Sequence, residues 1–232
     1  MSAGLTCALA AAAFASMGLV GATHAVAESA IRPADAGRGA VIAAQGVAPR
    51  VPACAQCHAY DGASEGSGAF PRIAGQSSYY LDKQMRDFAA GVRTNAIMTP
   101  IAKALSTEEV ADVAAYYATV ASPFLPLKSG DPKLVKRGKQ LAQIGDESRH
   151  LQSCDDCHGP GGAGEPPAIP YLAGQYAHYI AFQLQMWQRG FRKSSPDAME
   201  YIAKHLDDRE IAAVAAYFQQ ARSATPPVQS EE

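Results

Sequence analysis

Cys54-Ala55-Gln56-Cys57-His58 and Cys154-Asp155-Asp156-Cys157-His158 are two copies of one pattern in a chain of 232 residues. A C-x-x-C-H run is the attachment signature of c-type haem: the two thiols add across the haem vinyl groups and the adjacent imidazole becomes the proximal iron ligand. The spacing has a mechanical reason. Two intervening residues on a tight turn put both sulfurs on one edge of the porphyrin, and the next side chain then swings under the iron. One such run is a weak signal; two, each followed by its own similar downstream segment, are a strong one. The chain is expected to hold two covalently bound haem c groups, at Cys54, Cys57 and His58 and at Cys154, Cys157 and His158.

Working outward, the second half repeats the first. Ile169-Pro170-Tyr171-Leu172-Ala173-Gly174-Gln175 answers Phe70-Pro71-Arg72-Ile73-Ala74-Gly75-Gln76, while Tyr179, Gln183, Trp187, Gly190 and Arg192 answer Tyr80, Gln84, Phe88, Gly91 and Arg93. Glu210, Ile211, Val214, Tyr217 and Phe218 answer Glu109, Val110, Val113, Tyr116 and Tyr117. The register drifts from 99 to 101 residues across these pairs, which marks an internal duplication with small loop changes. Helical periodicity predicts a first helix over 34–44, a second over about 77–90 and a last from Thr107, with Asn95 to Pro100 a loop. Ser122 to Leu127 carries two prolines that push their predecessors into extended backbone, and its apolar residues suggest that it lies along a surface. The expected organisation is a leader over 1–27, one domain over 28–121, a linker over 122–132 and a second domain over 133–232, all of it α-helical.

Each haem iron needs a ligand opposite its histidine, and the duplication selects one. Met98 and Met199 each sit seven residues before a leucine, Leu105 and Leu206, that precedes the final helix of its half. No other methionines match between halves, and neither His150, His178 nor His205 has a histidine counterpart. His/Met ligation, known in cytochromes c, then makes Met98 and Met199 the distal ligands. Filling both axial positions blocks substrate from the iron and leaves reversible one-electron transfer. Zinc ribbons place their cysteine pairs about 15 to 20 residues apart, whereas here nearly a hundred intervene. A thioredoxin-like dithiol needs a βαβ setting, and no strand pattern is visible.

The remaining features fit this reading. Residues 8–22 are almost wholly small and apolar, and Ala25-Val26-Ala27 has the form cleaved after a secretory signal. The run is shorter than the roughly 20 residues needed to span a bilayer. Export with cleavage after Ala27 is expected, and it removes Cys7, leaving every other cysteine inside a haem motif. The net charge of -2 is spread evenly, with no basic stripe to bind nucleic acid. Tyr116, Tyr117, Tyr217 and Phe218 are expected to pack where the last helix of each half crosses the first, with Gly39 and Gly138 allowing close approach. Arg72 reads either as a partner for a haem propionate or as an exposed arginine. Asp155 and Asp156 read either as charges that would disfavour an anionic partner near that haem edge or as a solvated turn, and Gln76 and Gln175 read as polar groups at helix starts.

Phe70 to Gln76, Tyr79-Tyr80, Arg93-Thr94-Asn95, Met98 and Leu105-Ser106 to Ala115-Tyr116 together resemble the N-terminal half of the two-haem cytochrome c4 family. Leu172 to Gln175 and Met199 to Tyr217 resemble its second half more loosely. Departures lie at Ala59-Tyr60, where a glycine usually follows the histidine, and in the loops Glu165-Pro166-Pro167 and Ser194-Ser195-Pro196. The resemblance implies two tandem class I cytochrome c domains, each wrapped around a covalently attached haem. It also implies a periplasmic carrier of single electrons from a quinol-oxidising complex (quinol-cytochrome c oxidoreductase) towards a terminal oxidase, often loosely associated with the membrane. An alternative is an electron-accepting subunit of a periplasmic dehydrogenase, such as a flavin or sulfur-compound dehydrogenase. An open-iron haem enzyme such as a peroxidase is disfavoured by the matched methionines.

Overall fold

The first helix of each half begins where the sequence supplies a cap. In the computed structural model, which describes residues 1, 32–122, 124, 125, 127 and 130–222, Asp35 caps α1 (Ala36–Gln45) by accepting from the Arg38 N–H, and Gly46 ends it. Asp131 caps α6 (Pro132–Ile144) in the same way, with proline at its first position. The leader apart from Met1, with Cys7, lies outside the described residues.

Between these come the short haem-motif helix α2 (Ala55–His58), α3 (Ser78–Ala89), α4 (Met98–Ala104) and α5 (Thr107–Thr119). The second half repeats them as α7 (Asp155–His158), α8 (Ala177–Gln188), α9 (Tyr201–Lys204) and α10 (Asp208–Gln220). The final helices both open on a reciprocal capping box, Ser106 with Glu109 and Asp207 with Glu210. Among the described residues only isolated bridges, and no strands, occur. No described helix is long and apolar enough to cross a membrane.

The expected loop from Asn95 to Pro100 is a loop only as far as Ile97. The Asn95 side-chain oxygen accepts from both Ile97 and Met98 N–H at 2.9 Å, and this starts α4 at Met98 itself. In the second half the matching methionine lies inside a π-helical turn, Pro196–Glu200. Pro132 already belongs to α6, one residue inside the expected linker.

Each half is held by its last helix crossing its first. A Cβ on Gly39 would stand 2.0 Å from the Asp112 carbonyl oxygen, and one on Gly138 2.0 Å from that of Ala213, so the backbones meet with no room for a side chain. Around the first crossing, fully buried Asp112 accepts from Arg32 and Arg38. Around the second, Glu210 takes this place and accepts from Arg137 and Arg149. The aromatic pairs pack at these crossings as expected: Tyr116 with Tyr117 at 4.9 Å and Tyr217 with Phe218 at 5.0 Å between ring centroids.

Ala59, the departure after the first haem motif, adopts φ 58° and ψ 161°, a region otherwise occupied by glycine. Gly159 has φ 71° and ψ 162° at the same place in the second half. Hydrogen bonds from the Tyr117 hydroxyl to the Ala59 carbonyl and from the Tyr116 hydroxyl to that of Tyr60 hold the strained turn. Ala59→Gly is therefore expected to raise the stability of the holoprotein by about 1 kcal/mol in urea unfolding. Gly138→Ala is expected to lower it by about 3 kcal/mol in the same measurement, because the obstacle is backbone rather than a movable side chain.

Candidate functional site

One cavity of about 660 Å³ runs through both halves, and all eight sequence-selected residues line it: Cys54, Cys57, His58, Met98, Cys154, Cys157, His158 and Met199. The two haem motifs reach its wall through α2 and α7. In each, the histidine N–H returns to the first cysteine carbonyl, at 2.9 Å in the first half and 2.8 Å in the second. That single turn brings both thiols and the imidazole of a motif to the same wall.

Both imidazoles are buried, and each points Nδ1 at a proline carbonyl: His58 at Pro71, 3.2 Å, and His158 at Pro170, 2.8 Å. A carbonyl can only accept, so the proton sits on Nδ1 and the lone pair of Nε2 remains free for a metal. Burial pushes both imidazole pKa values down against the pull of these carbonyls, which favours the neutral, ligating form. The prolines were visible as repeated residues, but their role was not; a repeated position a dozen residues after each histidine was the available signal.

Burial, and next the charge of Asp155, push the Cys154 thiol up to about 12, and burial also raises that of Cys54. These are not the depressed thiols of a redox dithiol or a thiolate metal site. Among the described residues no group of three or more His, Cys, Asp or Glu side chains is placed to hold a metal ion.

The cavity wall also carries two buried guanidiniums. Arg93 donates to Gln84 Oε1 at 2.8 Å, Gln183 Oε1 at 2.7 Å and the Tyr179 hydroxyl at 2.6 Å. Arg192 mirrors it, donating to Gln183 Oε1 at 2.9 Å, Gln84 Oε1 at 2.8 Å and the Tyr80 hydroxyl at 3.2 Å. Each lies over an aromatic ring of its own half, Phe88 at 4.4 Å and Trp187 at 3.8 Å. Among the described residues neither makes an ion pair with a carboxylate. Burial, followed by repulsion from Arg93, drives the Arg192 pKa down. Two interior cations that repel one another call for an anion, and a haem carries two propionates. The site therefore fits haem in its thiols, its free imidazole nitrogens, its mainly apolar wall and its uncompensated positive charge.

The same arginines join the halves. Their backbones form an antiparallel bridge, extended by Thr94 N–H to Phe191 O at 3.0 Å and Lys193 N–H to Val92 O at 2.8 Å. Arg72 is neither exposed nor a lone surface cation: it is buried and its Nε donates to the Tyr171 hydroxyl at 3.0 Å. Gln175 is more than a polar group at a helix start. Its amide bonds both the N–H and the carbonyl of Arg72, at 3.0 and 2.8 Å, while Gln76 donates to the Tyr171 carbonyl at 2.8 Å. Asp155 is not wholly solvated, since one oxygen accepts from the Gly161 N–H at 2.9 Å and the other is buried.

The family model for "Cytochrome c" matches residues 38–121, and that for "Cytochrome C oxidase, cbb3-type, subunit III" matches residues 146–218. Cytochrome c4 of Pseudomonas aeruginosa is 36% identical over 206 residues, 88% of this chain and 93% of the relative. This chain belongs to the cytochrome c4 family. The crystal structure of reduced cytochrome c4 from Pseudomonas stutzeri superposes with a TM-score of 0.71 at 31% identity, over 82% of this chain and 100% of that one. Like those cytochromes, the protein carries two covalently bound haem c groups in two class I domains. A "thiosulfate dehydrogenase electron acceptor" of Stutzerimonas stutzeri is 42% identical over 187 residues, 80% of this chain and 87% of the relative. A thiosulfate dehydrogenase structure from Marichromatium purpuratum matches with a TM-score of 0.75 and 38% identity, over 82% of this chain and 41% of that one.

In this cytochrome, Gln183 accepts from both buried arginines, so Gln183→Leu strips one acceptor from each. A loss of about 3 kcal/mol is expected in denaturant unfolding of the holoprotein, from two charged donors left short of partners. Equal stability in the variant would show that the bridge is ornamental to the joint between halves.

Proposed function

We propose that the protein is an electron carrier and not a catalyst. His58 and Met98 hold the iron of the first haem, and His158 and Met199 that of the second. The supporting observation is that each half brings one histidine with a free Nε2 and one methionine to the same cavity wall. When bound, each haem supplies one-electron exchange between ferrous and ferric iron. The Pro71 and Pro170 carbonyls orient the two imidazoles, and together with the uncharged thioethers of Met98 and Met199 these would hold the iron and leave no ligand position for substrate. The thioether favours ferrous iron and raises the potential relative to two imidazoles.

The donor we infer is a periplasmic dehydrogenase of an inorganic sulfur compound such as thiosulfate, with electrons leaving towards a terminal oxidase. This rests on the relative from Stutzerimonas stutzeri, on a second "thiosulfate dehydrogenase electron acceptor", of Thiomonas intermedia, 35% identical over 73% of this chain and 78% of that relative, and on the Marichromatium structure. Two haems in one chain suit it to take both electrons of a two-electron oxidation. The cytochrome c4 relatives favour a second reading, a shuttle fed by a quinol-oxidising complex. In both, the mature chain works in the periplasm after cleavage following Ala27.

Stopped-flow reduction of the ferric holoprotein separates the readings. Thiosulfate with a thiosulfate dehydrogenase is expected to reduce both haems rapidly, thiosulfate alone not at all, and a quinol-oxidising complex more slowly than the dehydrogenase. Fast reduction by the quinol complex alone would replace the sulfur donor with the shuttle, and turnover of thiosulfate without a partner would end the carrier reading.

Met98→Ala and Met199→Ala are each expected to lower one midpoint potential in a redox titration and to open that ferric iron to cyanide. Unchanged potentials and cyanide-inert variants would overturn the distal assignments.

A further inference from the structure

The two halves place matching side chains around the buried arginines, with one exception. Phe88 lies under Arg93, but Trp187 lies under Arg192. Trp187 is the only tryptophan in the chain and is 7% exposed. Its Nε1 is one of only three buried side-chain nitrogen or oxygen atoms with no hydrogen-bond partner among the described residues. The ring lines the cavity, in the half that holds Cys154, Cys157 and His158.

A buried indole N–H without an acceptor is destabilising, and a phenylalanine would fill the same space without that cost, as Phe88 does in the first half. Trp187 can only donate, so what completes it is an acceptor. Its neighbour in the wall is a guanidinium, which selects an anionic one. Asp155 in the haem motif is not that acceptor: one of its oxygens accepts from the Gly161 N–H, and the other, though buried, has no hydrogen-bond partner among the described residues.

We propose that the Trp187 indole N–H donates to a propionate carboxylate of the second haem, and that this bond, absent from the first haem, sets the two haems apart in potential. The inference rests on the second haem being tethered at Cys154 and Cys157. A carboxylate near the iron stabilises the ferric state, and an N–H donor withdraws part of that charge, so the bond holds the second haem's potential up. Trp187 is thus a positioning residue for the cofactor edge. It neither ligates the iron nor transfers the electron itself.

The single tryptophan makes the test clean. In ultraviolet resonance Raman of the native holoprotein, the indole vibration that reports hydrogen bonding at Nε1 is expected at its strongly bonded position. In Trp187→Phe, which copies the first half, redox titration is expected to show one midpoint potential lowered and the other unchanged. A non-bonded indole in the native protein, or two unchanged midpoints in the variant, overturns the proposal, and the Raman result stands whether or not the variant folds. The alkaline pyridine haemochrome of the native protein counts covalent haem separately: two per chain is expected, and fewer than two overturns the tethering on which the proposal stands.

Discussion

The constraint on which everything else depends is that a flat, largely apolar cofactor fixed by two thioethers must be enclosed by very little chain. Each half offers about 90 described residues, and a unit of that size buries too small a fraction of its surface to be secure by itself. The cofactor supplies the missing interior. The helices line a common cavity, and in each half the closest helix contact is the crossing of its first and last helices. There Gly39 and Gly138 bring backbones together so closely that the crossing angle and register are set by main chain rather than by side-chain fit. That rigidity matters because, in the proposed ligation, the imidazole and thioether of one iron come from segments forty residues apart, Cys54 to His58 and Met98.

The joint between the halves follows from the same constraint. In a cavity open to both domains, the charged propionates of a haem would need polar partners. The chain answers with guanidiniums held by glutamine and tyrosine oxygens instead of by acids. An acid partner would have neutralised Arg93 and Arg192 internally. Neutral acceptors fix their geometry yet leave their charge in place for an anion, and the stacking on Phe88 and Trp187 orients them further. The bridge is therefore structural and electrostatic at once.

Much of this was legible in the sequence. The paired pentapeptides, the glycines at the crossings and the aromatic pairs of the last helices each have a local or periodic signature and are found where that signature put them, and the matched methionines both line the cavity. What was not legible is what crosses between the halves. Arg72, Gln76 and Gln175 stand beside helix starts, where a polar residue needs no special reason, and only folding brings the Gln175 amide onto the Arg72 backbone, 103 residues away. The repeat of Gln84, Arg93 and Tyr80 as Gln183, Arg192 and Tyr179 held the clue, since a repeated polar triad is more than chance solvation. Its meaning needed the approximate twofold arrangement that one strand of letters does not contain. The start of α4 at Met98 was missed for a smaller reason, the cap coming from Asn95 three residues earlier.

Symmetry of this kind has a functional cost that the chain must undo. Two identical haem sites would have no preferred order of reduction, because nothing would distinguish the iron that receives the electron from the one that passes it on. The duplicated elements repeat the proposed ligands; direction has to come from the positions where the halves differ. Several lie in or beside the cavity: Arg72 against Tyr171 on its wall, Ala55-Gln56 against Asp155-Asp156 within the haem motifs, Phe88 against Trp187 beside the arginines, and an α-helical against a π-helical setting for the two methionines. Acids beside the second motif favour its ferric state by simple attraction, whereas a donor on a propionate opposes them. Two opposed influences on one iron and neither on the other give a fold built by repetition a means to set the potential gap without altering a single ligand.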